Sequence, residues 1–237
     1  YHLFAWKQAI EHSYGHTAYY LICEDERGEI AGLLPLILIK PPLLRGTLVS
    51  LPFCDYGGVL SSDQPDVEEL YQYALHLATS NKARLEIRCK YPEHVLKVEH
   101  GFNEVSHKAR MILDLPAGSD ALWNSFKSKL RSQIRKPQKD GLVFKMGSTD
   151  LLHDFYTVFR LNMRSLGSPV HSKSWIETVV QFFREDARIG VVYSGKIPVA
   201  AGIILATRDT VSIPWASALS AFSRSSPNML LYWGFLQ

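Results

Sequence analysis

Cysteine is scarce in this chain: Cys23, Cys54 and Cys89 are the only three among 237 residues. They are far apart, odd in number and set in apolar or strand-like stretches. That reads as reduced thiols in a cytoplasmic protein and excludes a disulfide-stapled miniprotein. No CxxC pair occurs, and the nine histidines show no ligand spacing, so no metal is expected. Long apolar runs are missing too. The longest, around Ile30 to Ile39, is interrupted by Gly32 and Pro35 and falls short of the roughly 18 residues a membrane span needs, so no transmembrane segment is expected. Nor is there an excess of one charge: 26 basic against 23 acidic side chains leave +3, too little by itself to argue for a nucleic-acid partner.

Several catalytic signatures are absent. There is no GxSxG elbow, no GxxxxGK[ST] loop, no HExxH and no GxGxxG behind a strand, so hydrolase, kinase, zincin and nicotinamide readings lose their support. Tyr1 is not an initiator Met and opens no signal peptide, while the closing LLYWGFLQ stops inside an apolar helical pattern, so the sequence reads as cut at both ends.

What is present is an ordinary globular composition, 46% apolar and 21% charged, long enough for one large or two small domains. The spacing predicts strands at Tyr19 to Glu24 and Glu29 to Ile39 around a Glu26–Arg27–Gly28 turn, then a strand from Thr47 to Phe53. A helix starting near Asp66 keeps Val67, Leu70, Tyr71, Ala74, Leu75 and Ala78 on one face. A short strand at Arg84 to Arg88, a short helix near Glu93 to His100 and a strand at Ala109 to Leu115 follow.

The second half repeats this order. VSLPF at Val49 to Phe53 is matched by VSIPW at Val211 to Trp215, and a glycine-started strand precedes each, GEIAGLLPLIL from Gly28 and GKIPVAAGIILAT from Gly195. Each half reads as hairpin, proline-bearing strand, loop and helix, which predicts a duplicated α/β architecture with domains at 1–115 and 116–237. Pro52 and Pro214 cannot donate to a ladder, so a strand carrying them must be an edge or bulged, and the sheet opens there. Unpaired amides and carbonyls at such an opening can bind an extended ligand. A plain strand end before a turn would look the same.

Three constellations carry candidate chemistry. SDALWNSFKSKLRSQIRKPQKDG reads as one helix, buried through Leu122, Phe126, Leu130 and Ile134, capped by Ser119 or Asp120 and ended by Pro137 and Gly141. Lys127, Arg131 and Arg135 form a basic stripe on it. Like charges one turn apart cost roughly 0.2–0.5 kcal/mol per pair unless something negative lies across them, which suits a phosphate clamp or a solvated face paired with acids. Next, a helix from Asp150 buries Leu152, Phe155, Phe159 and Met163 and ends in RLNMRSLGSPV, where Arg160, Asn162 and Arg164 stand before the breakers Gly167 and Pro169. Last, in FSRSSPNMLLYW, Ser225 or Ser226 is a candidate cap and Pro227 a first helical residue, making an anion site or an ordinary capped helix. Asp55, Tyr56 and His107 are conceivable acid or base groups, more often turn residues, and no nucleophile stands out.

Taken in order, VSLPFCDYGG, LWNSFKSKLRSQIRKPQKDGL, FYTVFRLNMRSLGSPV, VAAGIIL, VSIPWASAL and SPNMLLYW resemble the FemAB-like proteins of PEP-CTERM and exosortase systems. These are part of the GNAT-fold superfamily, with the BioF2-like acetyltransferase domain and the Fem peptidyltransferases. The resemblance implies two tandem GNAT-like domains with mixed, mostly antiparallel sheets, the second C-terminally incomplete. It implies a cytoplasmic transferase that moves an acyl or aminoacyl group onto an amine of an anionic, lipid- or nucleotide-linked envelope or exopolysaccharide acceptor. No cofactor would be held permanently; acyl-CoA or aminoacyl-tRNA would be the co-substrate, with tRNA then a partner. On this reading Arg131, Arg135, Arg160, Asn162, Arg164, Trp215, Ser217 and Asn228 bind substrate and Tyr232 protonates a leaving group. Two departures stand out: FSRSSPN replaces the Q/RxxGxG/A coenzyme A loop of simple GNAT enzymes, and the family's FDFGRS stretch would follow Gln237. A non-catalytic module binding a sugar nucleotide or partner protein, and an RNA-binding protein, are the alternatives.

Overall fold

A computed structural model describes residues 2–61, 64–89, 102, 103, 105, 109 and 111–237. The fold is mixed α/β, and contacts divide the chain into two units, Tyr1–His107 and Lys108–Gln237, ahead of the sequence-based boundary at 115.

The first unit opens with helix α1 (Phe4–Tyr14), which the sequence reading passed over because no side chain caps it. Strands β1 (Thr17–Glu24) and β2 (Ile30–Ile39) form the expected hairpin, and β3 (Thr47–Val49) pairs antiparallel with the end of β2. After β4 (Leu60–Ser61) come α2 (Gln64–Ser80) and β5 (Arg84–Glu86), which lies parallel to β3. Leu34, Leu36 and Leu38 of β2 bury against Val67, Leu70, Tyr71, Ala74 and Ala78 of α2, the face expected from the spacing except that Leu77 packs against this cluster and Leu75 does not belong to it. Trp6, Ala9 and Ile10 of α1 are fully buried as well.

The strand expected to reach Phe53 stops at Val49. Pro52 therefore sits in a turn, with Leu51 and Phe53 at positive φ (50° and 66°), a conformation that non-glycine residues rarely adopt. The turn is held from several sides: Trp6 Nε1 donates to the Pro52 carbonyl (3.2 Å), Arg88 Nη1 to the Cys54 carbonyl (2.9 Å), and the Arg88 amide to Ser50 Oγ (2.8 Å). The sheet does open, though beside Pro35: along that edge β2 pairs with β3 through Ile37–Ile39 and with β4 through Gly32 and Leu33, leaving 34–36 between them. The helix expected near Glu93 to His100 lies outside the described residues. Residues 111–115, expected as a strand, form none.

The second unit begins with α3 (Ser119–Ser125) and α4 (Ser128–Lys139), so the single helix predicted there is two, broken at Phe126 and Lys127. Neither Ser119 nor Asp120 caps it, since Gly118 holds the cap position, and Pro137 lies inside the last turn of α4 instead of ending it. Strand β6 (Leu142–Gly147) leads through a 3-10 turn at Thr149–Leu151 into α5 (Leu152–Ser165), with Leu152, Phe155, Val158 and Phe159 buried and Met163 half-buried. Then follow α6 (Lys173–Phe183), β7 (Ala187–Ser194), β8 (Ile197–Ala206), β9 (Val211–Ala218), a 3-10 turn at Ser220–Ser225 and α7 (Pro227–Leu236).

Strands β6 to β9 make a four-stranded antiparallel sheet in chain order, with β9 at one edge. Alternate residues face opposite sides. Val192, Ala200, Ala216 and Ala218 face α7 and join Leu230 and Leu231 in one cluster. The approach is close: a Cβ on Gly190 would stand 2.5 Å from the Phe235 ring. The other face carries α5 and α6. Pro214 falls at the register shift of β9, where Ile203 faces Trp215 but Leu205 faces Ser212, so this edge strand is bulged as its proline requires.

Candidate functional site

On the α5 side of the second unit, Trp215 and Ser217 are two residues apart and share one strand face. Asn162, from the last turns of α5, donates from Nδ2 to Ser217 Oγ (3.1 Å). Both residues were nominated from sequence, and the fold joins them. Because Ser217 accepts here, its own proton is left to donate elsewhere. Ser217 is 6% exposed and Trp215 8%, so these groups work in a low-dielectric setting beside a bulged edge.

The cluster also holds residues that sequence reasoning missed. Gly167, at φ 66°, ends α5, and the short connection to α6 delivers His171 directly ahead of Ser172, whose Oγ caps α6 by accepting from the Trp175 amide (3.1 Å). Tyr156 Oη donates to the His171 carbonyl (3.1 Å). The imidazole lies 6.0 Å from the Trp175 ring and 6.1 Å from the Trp215 ring, and the two indoles meet edge-on at 6.4 Å. Burial lowers the His171 pKa below the usual histidine value, because a charged ring would be poorly solvated there. Gly167 and Pro169 marked a constrained loop in the sequence; that His171 meets Trp215 depends on elements far apart in the chain.

The remaining nominated residues lie elsewhere in the unit. Arg131 is half-buried and Arg135 exposed on α4, and the Arg135 guanidinium stacks 5.0 Å over the Trp123 ring. Trp123 in turn sits 4.9 Å from Trp233 of α7, so an aromatic stack orients Arg135. Lys136 Nζ donates to the Arg224 carbonyl, tying α4 to the turn before α7. Arg160 and Arg164 are exposed, one turn apart on α5. Asn228 and Tyr232 are exposed on α7, which covers the sheet face opposite to Ser217, so the fold does not bring them to Asn162. Ser226, a proposed cap, is left-handed (φ 51°) and its side chain caps nothing; Ser225 belongs to the preceding 3-10 turn.

Among the described residues the ion pairs are Lys7–Glu11 and Arg88–Glu86, so no described carboxylate answers Arg131, Arg135, Arg160 or Arg164. No group of three or more described His, Cys, Asp or Glu residues could hold a metal ion. No described helix is long and apolar enough to cross a membrane. The three cysteines are free, and burial pushes the Cys54 and Cys89 thiols up, away from thiolate chemistry. Asp55 is exposed and Tyr56 half-buried in the first unit, while His107 lies outside the described residues.

The unit that carries this cluster is the one a family description reaches: residues 124–237 match the family of the acetyltransferase (GNAT) domain. No curated protein matches the chain. Among solved structures, the crystal structure of FemX shares the fold with a TM-score of 0.70 at 15% identity, over 99% of this chain and 79% of that one. The C-terminal (DUF2156) domain of a protein assigned as a lysylphosphatidylglycerol synthetase from Agrobacterium fabrum matches with a TM-score of 0.53 at 11% identity. That match covers 92% of this chain and 66% of that one.

Proposed function

We propose that the chain is an acyl- or aminoacyltransferase of the GNAT and Fem type, acting on an amine of an anionic cell-envelope or exopolysaccharide-related acceptor. The observation that carries this reading is the Asn162–Ser217 pair beside Trp215 and His171, in the unit that matches the GNAT family.

In such a transfer a neutral amine attacks the acyl carbonyl. A C–N bond forms, the C–S bond of a thioester or the C–O bond of an aminoacyl ester breaks, the amine's proton passes to a base, and the leaving group takes up a proton. His171, kept neutral by burial, is the proposed base. Ser217 Oγ–H and the amides at the Pro214 bulge are the proposed donors to the developing oxyanion, where each such donor is worth roughly a hundredfold in rate. Arg131, Arg135, Arg160 and Arg164, without described carboxylate partners, are the proposed phosphate or carboxylate contacts. Asn228 and Tyr232, one turn apart on α7 and across the sheet from Ser217, are given no part in this transfer, and Tyr232→Phe should leave turnover unchanged.

The family match favours acyl-CoA as donor; aminoacyl-tRNA rests on the Fem resemblance alone, and so does a cytoplasmic location. The name of the Agrobacterium neighbour denotes an aminoacyl group carried on an anionic lipid, which suits an envelope acceptor. FSRSSPN in place of the coenzyme A loop favours a second reading, a non-catalytic module binding a sugar nucleotide or partner protein.

The test is product formation, followed by mass spectrometry, when the chain meets acetyl-CoA or an aminoacyl-tRNA together with amine-bearing envelope precursors. Transfer with one donor is expected; binding without transfer from either would select the module. Arg131→Ala with Arg135→Ala should weaken binding of the phosphorylated substrate, while the lost stacking on Trp123 costs at most about 1 kcal/mol of stability. Unaltered binding with a large stability loss would make these arginines structural.

A further inference from the structure

The connection between β2 and β3 in the first unit takes no part in the proposed chemistry, and its composition is unusual: Lys40–Pro41–Pro42–Leu43–Leu44–Arg45. The Leu44 amide donates to the Pro41 carbonyl (3.3 Å), closing a tight turn with Pro42 and Leu43 at its centre. Leu43 adopts a left-handed backbone (φ 63°), the place where such turns normally carry glycine or asparagine. That strain secures no core contact, because Leu43 is 105% and Leu44 71% exposed. Two leucines held outward on a proline-bearing turn are costly in water, and exposed apolar surface of this kind marks a contact site.

Cations ring the tip. Lys40 Nζ reaches Asn81 Oδ1 (3.5 Å), Arg45 Nη2 reaches the Ala83 carbonyl (3.3 Å), and Lys82 lies on the turn that follows α2. None of the three pairs with a carboxylate among the described residues. Together with Leu44, Thr79 and Asn81 they line an open groove of about 730 Å³ at the base of the tip. The acidic residues of this hairpin collect at its other end, where Glu24, Asp25, Glu26 and Glu29 surround the β1–β2 turn. The ten residues of β2 separate the two ends by roughly 30 Å. One end of the unit is thus apolar and basic, the other acidic, an arrangement that orients it against a negatively charged plane.

We propose that this tip is a peripheral membrane anchor: Leu43 and Leu44 insert into the interface of an anionic bilayer, while Lys40, Arg45 and Lys82 contact lipid phosphates around the groove. With no described membrane-crossing helix, the contact is reversible and adds to whatever the second unit binds. The inference does not depend on the transfer chemistry.

The test is flotation of the full chain with vesicles of phosphatidylcholine alone and of phosphatidylcholine mixed with phosphatidylglycerol, at low and high salt. Binding to the mixed vesicles only, weakened by salt, is expected. Leu43→Ser with Leu44→Ser should lower partitioning more than tenfold without moving the melting temperature. Replacing Lys40, Arg45 and Lys82 by Gln should lower it about fivefold per charge. In Leu44→Trp, indole fluorescence should shift to the blue with the mixed vesicles alone. The proposal is overturned by equal binding to both vesicle types, by binding to neither, or by serine variants that bind like the parent. Competition by inorganic phosphate without any effect of the serine pair would mean an anion groove instead. A concentration-dependent dimer dispersed by that pair would mean a contact between copies.

Discussion

Both units lay down a helix, three antiparallel strands and a later helix in the same order, with the short β4 interposed before α2 in the first, yet they differ most at the third strand and the connection leading into it. In the first unit that connection is the leucine-tipped basic loop, and β3 is only three residues long before Leu51 and Phe53 turn the chain away. In the second, Thr207 and Thr210 close a short polar turn, the Thr207 amide donating to the Thr210 carbonyl (2.8 Å), and β9 runs for eight residues. That length places Trp215 and Ser217 beyond the Pro214 bulge, under α5. The two third strands also sit differently: β3 lies inside its sheet between β2 and β5 and buries Leu48 and Val49, whereas β9 is an edge strand with one side left unpaired.

The comparison breaks hardest at the cores. Trp6 and Trp175 are both fully buried, one in each unit. Truncation of either to Ala should cost about 3–5 kcal/mol, and hydrogen exchange should place the loss within the mutated unit. If either variant loosened both units equally, the division into two separate cores would be wrong. A smaller effect is expected of Gly190→Val, because the new side chain would enter the Phe235 ring; overpacking of this sort costs about 1–3 kcal/mol, read from a denaturant midpoint.

At the edge strand the effect moves from stability to activity. Ser217→Ala should lower turnover by about a hundredfold and Asn162→Ala by less, with stability changed by only about 1 kcal/mol in each case. Equal turnover in both variants and the parent would remove the oxyanion role. The weakest effect is that of pH. His171 has a lowered folded-state pKa, so the unfolded chain binds its proton first as pH falls, and stability drops from about pH 6.5 downward until the folded value is passed. His2 and His16 are lowered in the same way, so the diagnostic is the difference between the parent and His171→Gln, whose stability should depend less on acid. The acid limb of turnover, lying below pH 6.5, should disappear in the same variant.

Much of this scaffold was legible. The β1–β2 hairpin, the buried face of α2 and the edge or bulge demanded by Pro214 follow from alternation, helical spacing and the missing proline amide. VSLPF and VSIPW led to the right order of elements for an incomplete reason, because Val49 closes β3 whereas Val211 opens β9. The break at Phe126 escaped detection because the four-residue spacing of Leu122, Phe126, Leu130 and Ile134 runs straight through it; all four pack beside Trp233, and that tertiary contact does not need one continuous helix. At the site, Asn162 could be named from polar donors near breakers, whereas Trp215 and Ser217 entered with the family resemblance and the opening expected at Pro214. His171 could not, since a lone histidine becomes informative only when two indoles close over it.

The most direct measurement is hydrogen exchange of the full chain with acetyl-CoA and, separately, with an aminoacyl-tRNA. The account predicts that the productive donor slows exchange in residues 156–171 and 211–232, leaving the β2–β3 connection of the first unit unchanged. Protection confined to the first unit with a donor that supports turnover would contradict it.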